Sequence, residues 1–443
     1  MPNPVDDIPL GPGHIALPLD PDEPSSAPNL PSRFAARTFH RRVLYVIATC
    51  CALLLLAVWI RPPESSEDLS REIIFTDIAE DPRLQSYESP DDAEYCGEWL
   101  PQESSGSAST AFLLPIDADL LFFLSRGPLS GQISIVETAN YTATGPIEVN
   151  ITARYREAAD LEKTRACRMG GANEHGLLLW ADGAQDVRLN ITVALPSGVR
   201  GYKDLSTDLP RFSHTTGNFY TIWSSLSFGI IRFKTSDAPI NFVSMSGLSA
   251  FMQTSNAKVE GFFNGLDGVA VQTSNAAVDL TAIMYGKDTG SESQVNITTS
   301  NGPITANLGL VSDYDNAILR ATARTSNAAL TIHAPSRTML AAEKNVSFFL
   351  DASTSKGAAA AYLFSAYEGA YDLWTTRSKA QVEGVKDLAD PLGKGRRRSV
   401  AKTSTGRHAQ GNIHWSKDGN RPESDERGYV RMSTTVSPVT LRI

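Results

Sequence analysis

The sequence predicts an all-β protein: a parallel, β-solenoid-like ectodomain of stacked repeats, preceded by a single transmembrane helix. Three observations carry this. A four-residue phrase recurs five times at regular spacing, apolar residues hold the same two positions around every copy, and one uncharged run of eighteen residues stands near the N-terminus.

The phrase reads Thr235-Ser236-Asp237-Ala238, Thr254-Ser255-Asn256-Ala257, Thr273-Ser274-Asn275-Ala276, Thr299-Ser300-Asn301-Gly302 and Thr325-Ser326-Asn327-Ala328. The first three copies are 19 residues apart and the last two steps are 26 residues each. Three residues after each Asn or Asp stands an aliphatic (Ile240, Val259, Val278, Ile304, Leu330), and four before it another apolar residue (Phe233, Met252, Val271, Ile297, Ala323). Each copy therefore reads as a strand, a polar corner and a second strand. One such unit cannot bury its apolar face alone, so a fixed period of this size implies stacking. Asn and Asp tolerate the left-handed conformation, and Ser and Thr hydroxyls bond nearby backbone, which suits a sharp corner. In a parallel stack each Asn lies above the previous one and the amides can form a ladder. Antiparallel hairpins are the competing reading, since Asn301-Gly302 alone suits a two-residue turn. The parallel stack is favoured because a ladder requires the same corner residue in every copy and a meander does not. The seven extra residues of the longer steps fall in loops near 287–293 and 312–316.

Residues 1–42 form a Pro-rich tail, expected to be disordered and cytosolic: 1–31 hold nine of the 25 prolines and no apolar periodicity. Residues 43–60 are long enough to span a hydrocarbon core, with Tyr45 and Trp59 placed for its two interfaces. Ala57-Val58-Trp59-Ile60 lacks the small-residue pattern of a cleavage site, so the segment reads as an uncleaved signal anchor. Arg33, Arg37, Arg41 and Arg42 precede it, and Glu64, Glu67 and Asp68 follow it. The positive-inside rule then gives type II topology, with everything after Ile60 lumenal or extracellular, in the secretory pathway or at the cell surface.

Five glycosylation acceptors agree with that address: Asn140, Asn150, Asn190, Asn296 and Asn345 each begin an Asn-x-Ser/Thr triplet, and all follow the anchor. In an oxidising compartment Cys96 and Cys167 are candidates for a disulfide, two buried thiols being the alternative. Cys50 and Cys51 lie inside the apolar segment and read as packing residues. Residues 61–94 form an acidic stalk, and the β domain is expected from Tyr95 to Ile443. Strand patterns follow at 111–114, 120–124, 132–136, 147–153, 176–180 and 187–195. The phrase Gly145-Pro146-Ile147 echoes Gly302-Pro303-Ile304, suggesting that the repeat extends toward the N-terminal side, and 378–384 echoes 256–261, suggesting that it resumes later. Residues 358–367 are the best helical pattern, a weak one. Between 385 and 427 the composition turns to Gly, Lys, Arg and Ser, a polar insertion loop. Its Arg396-Arg397-Arg398 run is either a processing site or, the favoured reading, part of a solvated loop.

Chemistry is scarce. The net charge of −9 argues against a nucleic-acid partner, which would want a basic face. His175, His214, His333, His408 and His414 show no metal spacing, and no phosphate-binding loop, dinucleotide fingerprint or nucleophile elbow occurs. No cofactor and no metal site is expected. The nearest candidate for carboxylates sharing one face is Asp313 with Asp315, in a predicted loop, where they read as surface acids rather than catalysts.

Phe112-Leu-Leu-Pro115, Ser125-Arg-Gly-Pro-Leu-Ser-Gly131, Cys167-Arg-Met169 and the Thr-Ser-Asn series resemble a family of fungal single-pass membrane proteins. These carry a lumenal β domain related to the adhesin-type "TSNG"-repeat families of bacteria. The resemblance covers Tyr95 to Ile443, and the chain departs from it at the basic 396–398 insertion. It implies fold and topology and no particular activity. The expected function is accordingly a non-catalytic, adhesin-like surface or lumenal binding module. Its expected partners are the lipid bilayer, through one helix, and cell-wall or surface glycans or proteins. A carbohydrate-active enzyme on a β-helix scaffold is the alternative, and a third reading has the proline-rich tail recruiting cytosolic partners.

Overall fold

The computed structural model describes residues 81–443, apart from 103–105, 139–144, 184–185, 198–200, 220–225, 287, 289, 313, 315, 335–345, 385–387, 392 and 418–426. The tail, the apolar segment 43–60 and most of the stalk lie outside the described residues. Among those described, no helix is long and apolar enough to cross a membrane.

The described chain is all-β, with one short α-helix, Ala158–Glu162. Its strands form two parallel ladders, one of strands running into the corners and one of strands leaving them. In the middle of the molecule the order follows the chain. The entry ladder runs through Ser227–Lys234, residues 247–253 and 268–272, Glu292–Thr298, Ile318–Thr325 and Ser347–Thr354. The exit ladder runs through residues 240–247 and 259–265, Val278–Tyr285, Ile304–Val311, Leu330–His333 and Ala359–Tyr362. The pairing is parallel throughout this region.

The two spacings now have a cause. In the 19-residue steps a single strand, Ile240–Gln253 or Val259–Gln272, passes from the exit ladder straight into the entry ladder. The first does so at register shifts between Phe242 and Met245 and between Gly247 and Ser249, the extra residues bending the strand as a bulge does. In the 26-residue steps the two strands separate, and residues 286–291 and 312–317 join them. The first loop is shorter than expected, because Glu292 and Ser293 already belong to a strand.

The columns predicted to face inward do so. Val278 is buried with Val259 and Ile304 as its ladder neighbours, while Asp279 is exposed. The column of entry-strand residues Phe233, Met252, Val271, Ile297 and Ala323 is buried as well. A buried Val contributes roughly 1.5–3 kcal/mol, so these columns supply much of the driving force. His214 is an exception among aliphatics, with Ile133 and Ile240 as ladder neighbours. Its Nε2 lies 2.7 Å from the Thr207 hydroxyl and its Nδ1 3.1 Å from the Phe212 carbonyl. A neutral ring satisfies both contacts, with Nδ1–H donating to the carbonyl and Nε2 accepting from Thr207. Burial pushes its pKa down to about 3.

Both ends depart from chain order. At one end Leu120–Arg126 lies between Gly201–Asp208 and Glu174–Ala181, and Ser130–Thr138 lies between Phe212–Asn218 and Arg188–Pro196. At the other, Gly428–Thr434 lies between Ser347–Thr354 and Gly369–Thr375, and Val439–Arg442 lies between Ala359–Tyr362 and Ala380–Glu383. Antiparallel strands close each end. Thr164–Gly170 pairs with Glu174–Ala181, Ile147–Arg154 with Arg188–Pro196, and His408–Ser416 with Gly369–Thr375.

Several expectations are corrected. Residues 358–367 are not helical: Ala359–Tyr362 is a strand of the exit ladder, with Ala359 and Ala361 buried. The segment 385–427 is not simply a loop, since Arg397–Ser404 and His408–Ser416 form an antiparallel hairpin. Its first strand carries almost no alternation because it is an exposed edge. The Gly145-Pro146-Ile147 echo does not start a stacked unit, because Ile147–Arg154 pairs antiparallel with both its neighbours. Order also begins before Tyr95. Asp81 is buried, accepting from Arg83 and Arg232, and Arg83 also reaches Asp204 at 2.5 Å. Tyr87 stacks on Phe122 and donates to Glu174 at 2.8 Å.

Val278→Asp is expected to abolish folding, because it places an unpaired charge in the column. Asp279→Ala should change stability by no more than about 0.5 kcal/mol. Asn275→Ala should lie between them, at about 1–2 kcal/mol for two lost hydrogen bonds; denaturant titrations of the three variants check the order. His214 adds a pH dependence of stability. The unfolded ring titrates near 6.5 and the folded one near 3, so the unfolded state binds the proton between those values. Its contribution is full above pH 6.5 and declines as pH falls toward 3, by about 1.4 kcal/mol per unit. The acid slope of wild type should exceed that of His214→Gln by this amount in titrations between pH 6 and 4.

Candidate binding groove

The corners stack by main-chain bonds. The Ser236 carbonyl accepts from the N–H groups of both Ser255 and Asn256, at 3.1 and 2.9 Å, and Ser255, Ser274, Ser300 and Ser326 repeat this with the next corner. Each threonine is turned inward and buried. Thr254 Oγ1 donates to the Ser236 carbonyl at 3.3 Å and Thr325 Oγ1 to Gly302 at 3.0 Å. Outside, the expected amide ladder is present. Asn256 Nδ2 donates to Asp237 Oδ1 at 2.7 Å, Asn275 to Asn256 at 2.7 Å, Asn301 to Asn275 at 2.6 Å and Asn327 to Asn301 at 2.6 Å.

With the threonines inward and the asparagines bonded to one another, the serines are left facing out: Ser255, Ser274, Ser300, Ser326 and Ser355 form an exposed stripe. Beside it run the last outward residues of the entry strands. The two stripes bound a groove of about 420 Å³ that crosses the units at 272–274, 298–300, 324–326, 353–355 and 433–435 and reaches Trp374. At about 4.8 Å per strand its length is roughly 24 Å. Trp374 is 50% exposed, and Arg324 stands midway, 3.0 Å from Asp351.

Sequence reasoning found five corners, marked a sixth unit by the 378–384 echo, where Ala380–Glu383 does join the exit ladder, and missed two. Thr354-Ser355-Lys356-Gly357 keeps the same bonds, since Ser355 and Lys356 donate to the Ser326 carbonyl at 3.1 and 2.9 Å. Thr434 and Thr375 occupy the buried threonine position of the last two units and bond to each other at 3.0 Å. The recurring Thr was the usable signal; the altered third residue and irregular spacing hid it. Trp374 was missed altogether, because nothing local distinguishes a groove tryptophan from a core one.

The sequence-predicted site residues are scattered. Cys96 and Cys167 are joined as a disulfide between paired strands. Asn150 and Asn190 project from the outer face of two antiparallel strands, Asn150 opposite Thr192 and Asn190 opposite Thr152. Asn296 is half-buried on the entry ladder. Asn140, Asn345, Asp313 and Asp315 lie outside the described residues. Arg396 is not a free loop residue: it pairs with Glu368 and Asp390, both at 3.0 Å. His408 Nε2 meets Asp372 Oδ1 at 2.6 Å beyond Trp374, and His333 stacks on Tyr362. Among the described residues no three His, Cys, Asp or Glu side chains converge to hold a metal.

No family model matches the chain, and no curated protein matches it. Among solved structures it is similar to a candidate cell-adhesion protein of Clostridium sporogenes ATCC 15579. The identity is 8% and the TM-score 0.16, over 76% of this chain and 99% of that one.

Proposed function

We propose that this chain is a type II single-pass membrane protein with a β-solenoid-like, non-catalytic, adhesin-like ectodomain that binds extended glycans. The observation that carries this is the groove: hydroxyls repeated at the strand spacing along roughly 24 Å, with an exposed indole at one end. Hydroxyls that both donate and accept suit a polyhydroxylated chain. The flat indole supplies an amphipathic platform at small entropic cost. Stacked repeats present such extended surfaces as a consequence of their architecture. The carboxylates nearest the groove, Asp351 and Asp372, are occupied by Arg324 and His408, which favours binding over acid–base chemistry. The anchor, the topology and the resemblance to the fungal adhesin-type family rest on the sequence.

A glycan array probed with the full-length protein in detergent should show retention of a linear glycan class. Trp374→Ala should weaken it by at least about tenfold, or 1.4 kcal/mol, without moving the thermal midpoint. Hydrolysis of the bound glycan would favour the enzyme reading, and binding unaffected by Trp374→Ala would remove the groove. Protease treatment of sealed microsomes should degrade residues 1–42 and spare 95–443; digestion of the β domain would overturn the topology.

A further inference from the structure

Gly428–Thr434 and Val439–Arg442 follow the other described strands in sequence, yet they do not lie outermost in the stack. The unit formed by Gly369–Thr375 and Ala380–Glu383 precedes them in the chain and stands outside them in the stack. We infer that residues 428–443 are an exchangeable strand pair, and that the slot holding them accepts the same segment from a second copy of this chain.

The charge register favours this order. Were the stack sequential, Gly369–Thr375 would lie on Ser347–Thr354 and bring Asp372 beside Asp351, a like-charge pair that destabilises a ladder. The inserted strand places Arg431 in register with Asp351 on one side and Asp372 on the other. On the exit ladder Arg442 lies between Tyr362 and Glu383. It donates to Glu383 at 2.6 Å and stands 5.0 Å from the Tyr362 ring. Shape agrees with charge. A Cβ on Gly428 would meet the Phe348 carbonyl at 2.5 Å and the Tyr367 ring at 2.9 Å, so a strand enters this slot only with glycine at that level.

The segment is held by strand pairing on both sides, and its departure need not dissolve the outer unit. The outer unit keeps a partner of its own, since His408–Ser416 pairs with Gly369–Thr375. What remains is a gap between two parallel strand edges, which binds an added strand through main-chain bonds and selects it by side-chain pockets. A second copy carries the matching strands, and two copies that trade segments recover every contact, as in domain swapping.

Two full-length variants in detergent test this. The first carries Arg431→Asp and Arg442→Glu, so that its segment is repelled by its own slot. The second carries Asp372→Arg and Glu383→Arg, with the opposite mismatch. Each alone should be monomeric by light scattering, and an equimolar mixture should give a 1:1 dimer of twice the mass. A labelled peptide of residues 428–443 with the natural sequence should bind the first variant at least tenfold tighter than it binds the wild-type chain. A mixture that stays monomeric, together with equal peptide binding to both chains, would overturn the inference. Should the first variant fail to fold, the milder Arg431→Ala, Arg442→Ala chain takes its place in the peptide assay with the same expected preference.

Discussion

The structure depends on one repeated arrangement: a corner serine carbonyl that accepts two N–H groups from the corner above it. A carbonyl oxygen has two lone pairs and can accept both. Here the sharing fixes vertical position once per unit. A strand ladder alone is prone to slip, and a one-residue slip would exchange its buried and exposed faces. With every corner tied to the next, Val278 has no choice but to stand between Val259 and Ile304. The exit strands can then be as short as Leu330–His333 without losing register.

The ends solve a different problem. A stack of parallel strands exposes a bare edge at each extremity, and edges invite aggregation. Each end buries a unit out of chain order and finishes with antiparallel strands. At the N-terminal end the cover is thicker. Residues 81–96 and the strand Thr164–Gly170 lie over the outer face of Leu120–Arg126, and Tyr87, Cys167 and Met169 pack on Leu120, Phe122 and Leu124. A strand buried on both faces reads as a continuous apolar run, which is why Leu-Leu-Phe-Phe-Leu appears here without alternation. At the other end the hairpin edge Arg397–Ser404 is left exposed and charged, a common way to discourage further pairing.

Local periodicity explains what was legible in the sequence. The five Thr-Ser-Asn/Asp corners, their inward columns, the parallel pairing and the amide ladder could all be read, because each is written within a few residues and then repeated. Six strands before the repeats were also placed, with boundaries off by a few residues. Strands Gly201–Asp208 and Phe212–Asn218 were missed, since His214 and the hydroxyl residues Ser206 and Thr207 occupy inward positions and break the apolar alternation. The order of units at the two ends was not legible at all, for it joins strands far apart in the chain, such as Ser347–Thr354 and Gly428–Thr434. The groove was half legible. Its serines were visible as corner residues, whereas Trp374 acquires meaning only from what stacks beside it.

The amide ladder has a directional consequence. Every Nδ2 in it points toward Asp237, and every Oδ1 points the other way. Aligned amide dipoles add along a helix, favouring an anion at the N–H end and a cation at the C=O end. The same rule is obeyed here by side chains alone. The corner at the N–H end holds Asp237, and the corner following Asn327 at the C=O end holds Lys356. The line of asparagines is thus polarised from end to end, with Asp237 accepting at its N–H end and Lys356 in the next corner beyond its C=O end.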